Sequence, residues 1–536
     1  MSSKTKIYLP LIISVSVIIG YFLAQYVNPW QHYAQFEGSA ANNGKFEQVK
    51  NLIQNDYVDS VNTYHLEEIA IISMLDSLDP HSSYISVKEL EAANEAIRGD
   101  FEGIGVQFRI ESDTIFVVNT ITGGPSEKVG LQAGDRIVKV DDSIVAGIGI
   151  TNDKVQKLLK GPKGTKVKVG IKRRGFDETL DYEIVRNVIP NNSVEAAYII
   201  KDDIGYIKIS SFTVKTGDEF SEALKVLKST GMQQLILDLR NNGGGVLKCA
   251  IDVATEFLGK GTLIMYSEGE HSVRHDFYSM QKGDFETGNL VVLVDETSAS
   301  ASEIVAGAIQ DNDRGTIMGR RTFGKGLVQQ QTTLVDKSAV RLTVSRYHTP
   351  SGRCIQRPYN SGKNEYINNF YERYTSGELQ YADSIHVSDT TQKYFTKQGR
   401  IVYGGGGIIP DIFIPIETFK DNTFYYNLIN KSILYRYAFD YTDMNRANLK
   451  QQYISSRTFI DNFVVDDAML NEIISKSEEK NITFNKKEFD VVEEEIRILV
   501  KAYIGRNLFD NLGFYPIYNQ IDNDVLKAVE QLEALE

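Results

Sequence analysis

The chain has 536 residues, 42% of them hydrophobic and 24% charged, the balance of ordinary folded protein with room for about two to four domains. The formal net charge is −13, with the acidic residues spread along the chain, so the basic stripe that a nucleic-acid partner needs is missing. Two distant cysteines, Cys249 and Cys354, and seven scattered histidines give no metal or haem spacing, and two unpaired thiols are expected rather than a disulfide.

In chain order, Lys4 and Lys6 precede residues 7–27, a stretch without a charged side chain. Its length matches the ~20 residues that cross a bilayer as a helix. The small-residue cleavage sites near Ala24 and Ala40 are poor, so an uncleaved anchor is expected rather than a signal peptide. Positive residues before the span place the N-terminus in the cytoplasm and everything beyond Trp30 outside it. Residues 28–44 read as a tether. Residues 45–98 show helical periodicity, with Phe46, Val49, Leu52 and Ile53 on one face and Ile69, Ile72 and Leu75 on another, until Asp79-Pro80 breaks the pattern.

Residues 99–187 alternate as strands with turn glycines. From 188 the pattern becomes α/β. Strands are predicted at 204–210, 235–239 and 290–294, and helices at 218–229, 246–258 and 300–310, which implies a mainly parallel sheet with helices packed on it. Polar, Tyr- and Asn-rich sequence at 357–403 reads as an insertion, after which four glycines, Gly404 to Gly407, resume ordered structure. Residues 417–536 read as a helical domain with Phe489, Val492, Ile496, Leu499 and Tyr503 on one stripe.

Three segments could carry chemistry. Residues 291–304 lead from a buried strand into a helix, crowding small residues around Ser300 at the helix N-terminus, where open N–H groups favour developing negative charge. Ser300 and Glu303 also fit a capping box, which needs no catalysis and is the better reading of that segment alone. Lys325 lies between Gly324 and Gly326, whose bare backbones let neighbours pack over the ammonium and lower its pKa by desolvation. Gly243, Gly244 and Gly245 follow a buried strand, so their amides sit at the sheet edge where α/β folds bind ligands.

Taken together, six runs resemble the C-terminal processing (tail-specific) serine peptidases. They are Leu78-Asp79-Pro80-His81-Ser82, Phe101-Glu102-Gly103-Ile104-Gly105-Val106, Leu239-Arg240-Asn241-Asn242-Gly243-Gly244, Ser298-Ala299-Ser300-Ala301-Ser302-Glu303 with Thr322-Phe323-Gly324-Lys325-Gly326, and Thr349-Pro350-Ser351-Gly352-Arg353. The resemblance covers residues 45–356 and 404–415. It implies a multidomain α/β protein: an N-terminal helical region, a PDZ domain in the family's permuted strand order at 99–187, a crotonase/ClpP-like α/β peptidase core at 188–416 and the C-terminal helical domain. It also implies Ser300 as nucleophile, Lys325 as general base and Gln329 as the residue that orients the lysine. The amides of Gly243 or Gly244 and of Ala301 would form the oxyanion hole, and Gly103, Ile104, Gly105 and Val106 the carboxylate-binding loop of the PDZ domain. Neither cofactor nor metal is called for. The implied substrates are unfolded or flexible protein C-termini, processed in the periplasm or extracytoplasmic space by a single-pass membrane protein, with an adaptor protein and a homo-oligomer left open.

Lys325 and Gln329 are four residues apart, which spans ~13 Å in extended chain, so contact between them requires a turn or the full reach of the lysine. The alternative from another class is a catalytically inactive PDZ adaptor that binds C-termini. A Ser-His-Asp protease would need a histidine near the serine, and only His271, His275 and His348 come near in sequence. The Ser-x-x-Lys matches at Ser3 to Lys6 and Ser477 to Lys480 sit in contexts that suit no active site.

Overall fold

The structure is a computed structural model that describes residues 14–21, 44–121, 123–385, 392–417 and 422–535. It divides into two compact units, Met1–Ser77 and Leu78–Glu536. In the first, residues 14–21 are helical and are followed by the helices Lys45–Asp56 and Thr63–Asp76, which Lys50 and Glu67 tie together at 2.6 Å. Most of the apolar positions of these two helices, among them Phe46, Val49, Leu52, Ile69 and Ile72, are exposed. The expected anchor at 7–27 lies mainly outside the described residues. Among the described residues no helix is long and apolar enough to cross a membrane.

The second unit begins with a departure from the helical reading of 45–98. Ser83–Ile85 is a short strand, paired antiparallel with Ala339–Arg341, before the helix Val87–Arg98. Three residues are too few to display a period of two, which is why the pattern hides it. A sheet then runs in the order Val106–Glu111, Thr114–Thr120, Arg136–Val140, Lys166–Lys172, Leu180–Val185. Along Lys166–Lys172, Val167 and Val169 turn inward while Lys166 and Lys168 face water. Ile115, Val117, Ile137 and Ile171 close that core at 0% exposure.

A second sheet is parallel from Ile204–Ile209 through Gln234–Asp238, Leu290–Val294 and Thr316–Gly319 to Ile412–Phe413, with Val194–Lys201 added antiparallel at one edge. Leu290–Val294 is buried along its whole length, which explains its unbroken apolar run. Helices Thr216–Ser229, Leu247–Thr255 and Ala301–Asp311 cover one face through Phe220, Leu224, Ala250, Val253 and Val305. Burying one such valine, leucine or phenylalanine contributes about 1.5–3 kcal/mol. The opposite face is covered by the last helix, Asn523–Glu533, through Val525, Ala528 and Leu532. The preceding helices, Thr423–Asn430 through Lys486–Tyr518, share a separate core that includes Phe489, Val492, Ile496 and Leu499. Strands Leu327–Thr333 and Ala339–His348 form a hairpin over the carboxyl edge of the parallel sheet, and the 357–403 segment folds a helix, Lys363–Thr375, beside it.

Candidate active site

The strand Leu290–Val294 ends in a loop organised by Asp295. Its Oδ1 accepts the N–H groups of Thr297 (3.0 Å) and Ser298 (2.9 Å), and its Oδ2 that of Asn241 (2.9 Å). This carboxylate therefore joins the serine loop to the glycine loop. Ser300 follows at φ 54° and ψ −110°, a region that non-glycine residues avoid, immediately before the helix Ala301–Asp311. Holding such a backbone costs of order 1–3 kcal/mol and persists only where neighbours over-determine it.

Glu303 supplies much of that determination. It is buried at 0% exposure and accepts from Ser300 N (2.8 Å), Thr322 Oγ1 (2.5 Å), Gly324 N (2.7 Å) and Lys325 N (2.9 Å). Complete burial pushes its carboxyl pKa up, against the pull of those four donors. The capping contact read from the sequence is present, but the same side chain also pins the lysine loop to the serine.

The lysine loop is packed from every side. Phe323 N donates to Ser298 O (2.9 Å), Arg357 N to Gly324 O (3.0 Å) and Gly326 N to Gln356 Oε1 (2.8 Å). A side chain at Gly324, which sits at φ 88°, would press 2.5 Å from Arg357 Cγ, and one at Gly326 2.9 Å from Gln356 N. Burial, aided by the Arg341 guanidinium, holds the Lys325 ammonium below the ordinary lysine pKa. Lys325 Nζ donates to Gln329 Oε1 at 2.9 Å, and Gln329 Nε2 donates to His81 O at 2.6 Å.

Ser300, Ala301, Lys325, Gln329, Gly243 and Gly244 line one cavity of about 490 Å³, with Ile97, Val246, Leu327 and Tyr347 on its apolar side. The histidines His271, His275 and His348 do not line it. The three expected oxyanion donors part company here. Gly244 N already donates to Asn242 Oδ1 (2.9 Å), which takes it out of the set. Among the described residues the amides of Gly243 and Ala301 meet no acceptor. Gly244 serves by close approach instead, because a Cβ on it would lie 2.8 Å from Ser300 Cβ and 2.9 Å from Ala301 N.

A second, apolar cavity of about 240 Å³ is lined by Phe101, Gly103, Ile104, Gly105, Val106, Phe108 and Leu159, among others. Gly105 turns at φ 74°, and the amides of Ile104 and Gly105 meet no acceptor among the described residues. Residues that sequence reasoning passed over are Asp295, Asn242 and Tyr347, whose hydroxyl donates to Ser300 O at 3.2 Å. The contacts that join loops, Asn241 N to Asp295 and Tyr347 Oη to Ser300 O, run between residues 54 and 47 positions apart, and no local pattern announces them.

Peptidase family S41 matches residues 203–361, a PDZ domain matches 103–184, and a family of unknown function matches 424–510. The chain is 38% identical over 317 residues to a carboxy-terminal-processing protease of Bartonella bacilliformis, covering 58% of this chain and 72% of that one. It is 33% identical over 360 residues to the carboxy-terminal processing protease CtpA of Bacillus subtilis, covering 66% and 76%. Among solved structures, a photosystem II D1 C-terminal processing protease is 29% identical over 58% of this chain and 89% of that one, with a TM-score of 0.34.

Proposed function

The chain belongs to peptidase family S41, the carboxy-terminal processing proteases, and we propose that it cleaves peptide bonds by a Ser300–Lys325 acyl-enzyme mechanism, selecting substrates by their free C-termini through its PDZ domain. Neutral Lys325 takes the Ser300 Oγ proton as Oγ attacks the peptide carbonyl carbon. The charge gathering on the carbonyl oxygen is met by the amides of Gly243 and Ala301. The lysine ammonium then protonates the leaving amine, and water releases the acyl group by the same steps in reverse. The observation that carries this reading is a half-buried lysine, held by Gln329, facing the same cavity as a serine on strained backbone at a helix N-terminus.

Full-length Ser300→Ala and Lys325→Ala should lose peptide cleavage while melting close to wild type. Lys325→Arg should fail as well, since a guanidinium does not deprotonate in this range. Wild-type activity should rise with pH through the lowered lysine pKa, because below it the ammonium has no lone pair to accept the serine proton. Wild-type turnover by Lys325→Arg would overturn the mechanism.

In this reading Ile104 and Gly105 grip a terminal carboxylate, the substrate adds as a strand at Val106, and the apolar cavity takes a nonpolar last side chain. Amidating a substrate's C-terminus should therefore slow its cleavage sharply, and equal rates for acid and amide would remove the carboxylate claim. The site of action is outside the cytoplasm behind an uncleaved anchor at 7–27. Purified full-length protein whose first residue lies beyond 27 would refute the anchor.

A further inference from the structure

The turn Leu78-Asp79-Pro80-His81-Ser82 has no part in the mechanism above, yet it closes on the base. We propose that the main-chain carbonyl of His81 fixes which way round the Gln329 amide sits, and so aims the Lys325 lone pair at Ser300, with Asp79 and Tyr366 as the positioning residues that hold that carbonyl. This rests on the Ser300–Lys325 reading.

A carbonyl oxygen only accepts hydrogen bonds, so a glutamine amide facing it must present its NH2. With Gln329 Nε2 on His81 O at 2.6 Å, Oε1 has to face Lys325 Nζ, which it meets at 2.9 Å. The lysine then spends an N–H on Gln329 and keeps its lone pair for the serine proton. Reversed, the same amide would offer an N–H to that lone pair and compete with Ser300. The local geometry of Gln329 does not choose between the two; the acceptor across the chain does.

The turn is built to keep that acceptor in place. Asp79 Oδ1 accepts the N–H groups of His81 and Ser82, both at 2.8 Å, and Oδ2 accepts Ser82 Oγ at 2.6 Å. Ser82 Oγ in turn accepts Thr343 N at 3.1 Å, and Thr343 is the register partner of Gln329 in the neighbouring strand. The turn is thus sewn to the strand pair that carries Gln329. From the other side, the His81 ring meets Tyr366 Oη at 3.1 Å through Nε2 and packs edge-on against its ring at 5.4 Å. Tyr366 belongs to the 357–403 segment, so this segment reaches the base through His81.

The test measures kcat, KM and the pH profile of full-length protein on a peptide with a free apolar C-terminus. Asp79→Ala should lower kcat about tenfold or more with KM within about twofold, the signature of misplaced rather than missing groups. Its acid limb should move to lower pH. An Oε1 acceptor favours the ammonium, and replacing it by a donor disfavours the ammonium and lowers the lysine pKa. A turn that merely loosened would admit water and move the limb upward. Asp79→Asn keeps the Oδ1 acceptor and should restore most of kcat, while Tyr366→Phe should show a smaller shift in the same direction. Ser300→Ala runs alongside, and turnover by it would sink the underlying mechanism. If Ser300→Ala is dead, the proposal alone is overturned by wild-type kcat and profile in folded Asp79→Ala, by an acid limb that stays or rises, or by failure of Asp79→Asn to repair kcat. Should Asp79→Ala not fold, the direction of the shift in Tyr366→Phe decides.

Discussion

Glu303 is reached by donors from residues 300, 322, 324 and 325, so one buried carboxylate sets the positions of two loops that are not neighbours in sequence. Three of those bonds come from main-chain amides, which explains how Ser300 can rest at φ 54° without a glycine. His81 shows the reverse case, an ionisable side chain kept neutral. Burial, with the nearby Lys325 charge, pushes its pKa down to about 4. The unfolded chain would protonate it near 6.5, so between these values the unfolded state binds more protons and stability falls as pH falls. Above the upper value the group costs nothing. The full loss on acidification is of order 3 kcal/mol. Thermal melts of wild type and His81→Gln between neutral pH and about pH 4.5 check this, and the gap between them should close in favour of the variant as pH falls. A pH-independent gap would show that His81 does not titrate this way. The capping half of Glu303 was legible in Ser300-x-x-Glu303 because it is local. The other half was not, since its partners lie 19 to 22 residues on.

Elements were legible wherever a period or an unbroken apolar run stood alone. The inward valines of Lys166–Lys172 and the buried Leu290–Val294 are read directly from their patterns. The 357–403 segment was not legible, because its polar, Tyr-rich sequence hides buried charges that pair only in three dimensions. In the helix Lys363–Thr375, Arg373 is 3% exposed and donates to Glu378 Oε1 (2.7 Å), Thr322 O (3.1 Å) and Arg321 O. Arg321 grips the same Glu378 at 2.7 Å and Gly406 O at 2.7 Å. This helix therefore caps the carbonyls just before Lys325. Arg373→Ala should leave two buried carbonyls and part of a carboxylate unpaired, at a cost of about 3 kcal/mol or more. It should also lower turnover, since the loop leading to the base loses its tether. Thermal melts and kcat measured together test both parts. A variant that melts like wild type would mean that water replaces the guanidinium at no loss.

At the scale of the whole second unit, the C-terminal region grips both of the six-stranded sheets. Helix Ile433–Gln452 meets the PDZ sheet through Phe439, whose ring lies 5.0 Å from that of Phe116 and 3.6 Å from the Arg109 guanidinium. Helix Asn523–Glu533 meets the peptidase sheet. Its Val525, Ala528, Val529 and Leu532 fall at helical spacing, but nothing in that spacing says whether a bundle or a sheet receives them. What settles the matter is charge. Arg240, at the entry to the glycine loop, donates to Asp522 Oδ1 (2.8 Å) and Asp524 Oδ2 (3.1 Å), and Arg320 donates to Asp524 at 3.2 Å. Ending the chain at residue 521 would take Asp522 and Asp524 from Arg240 and Asp524 from Arg320, leaving them Asp238 and Glu296, and losing a buried carboxylate partner costs up to about 3–5 kcal/mol. It would also uncover the sheet face on which Val525, Ala528 and Leu532 sit at 0% exposure, at about 1.5–3 kcal/mol for each larger side chain. Those losses together match the ~5–15 kcal/mol by which a domain is stable at all. The shortened chain should therefore fail to accumulate in folded form. Leu526→Ala, on the same helix but 42% exposed, should change melting little. Limited proteolysis of the two proteins against wild type separates the cases. A chain ending at 521 that resists protease and cleaves peptide like wild type would show that the last helix is an accessory rather than a layer of the core.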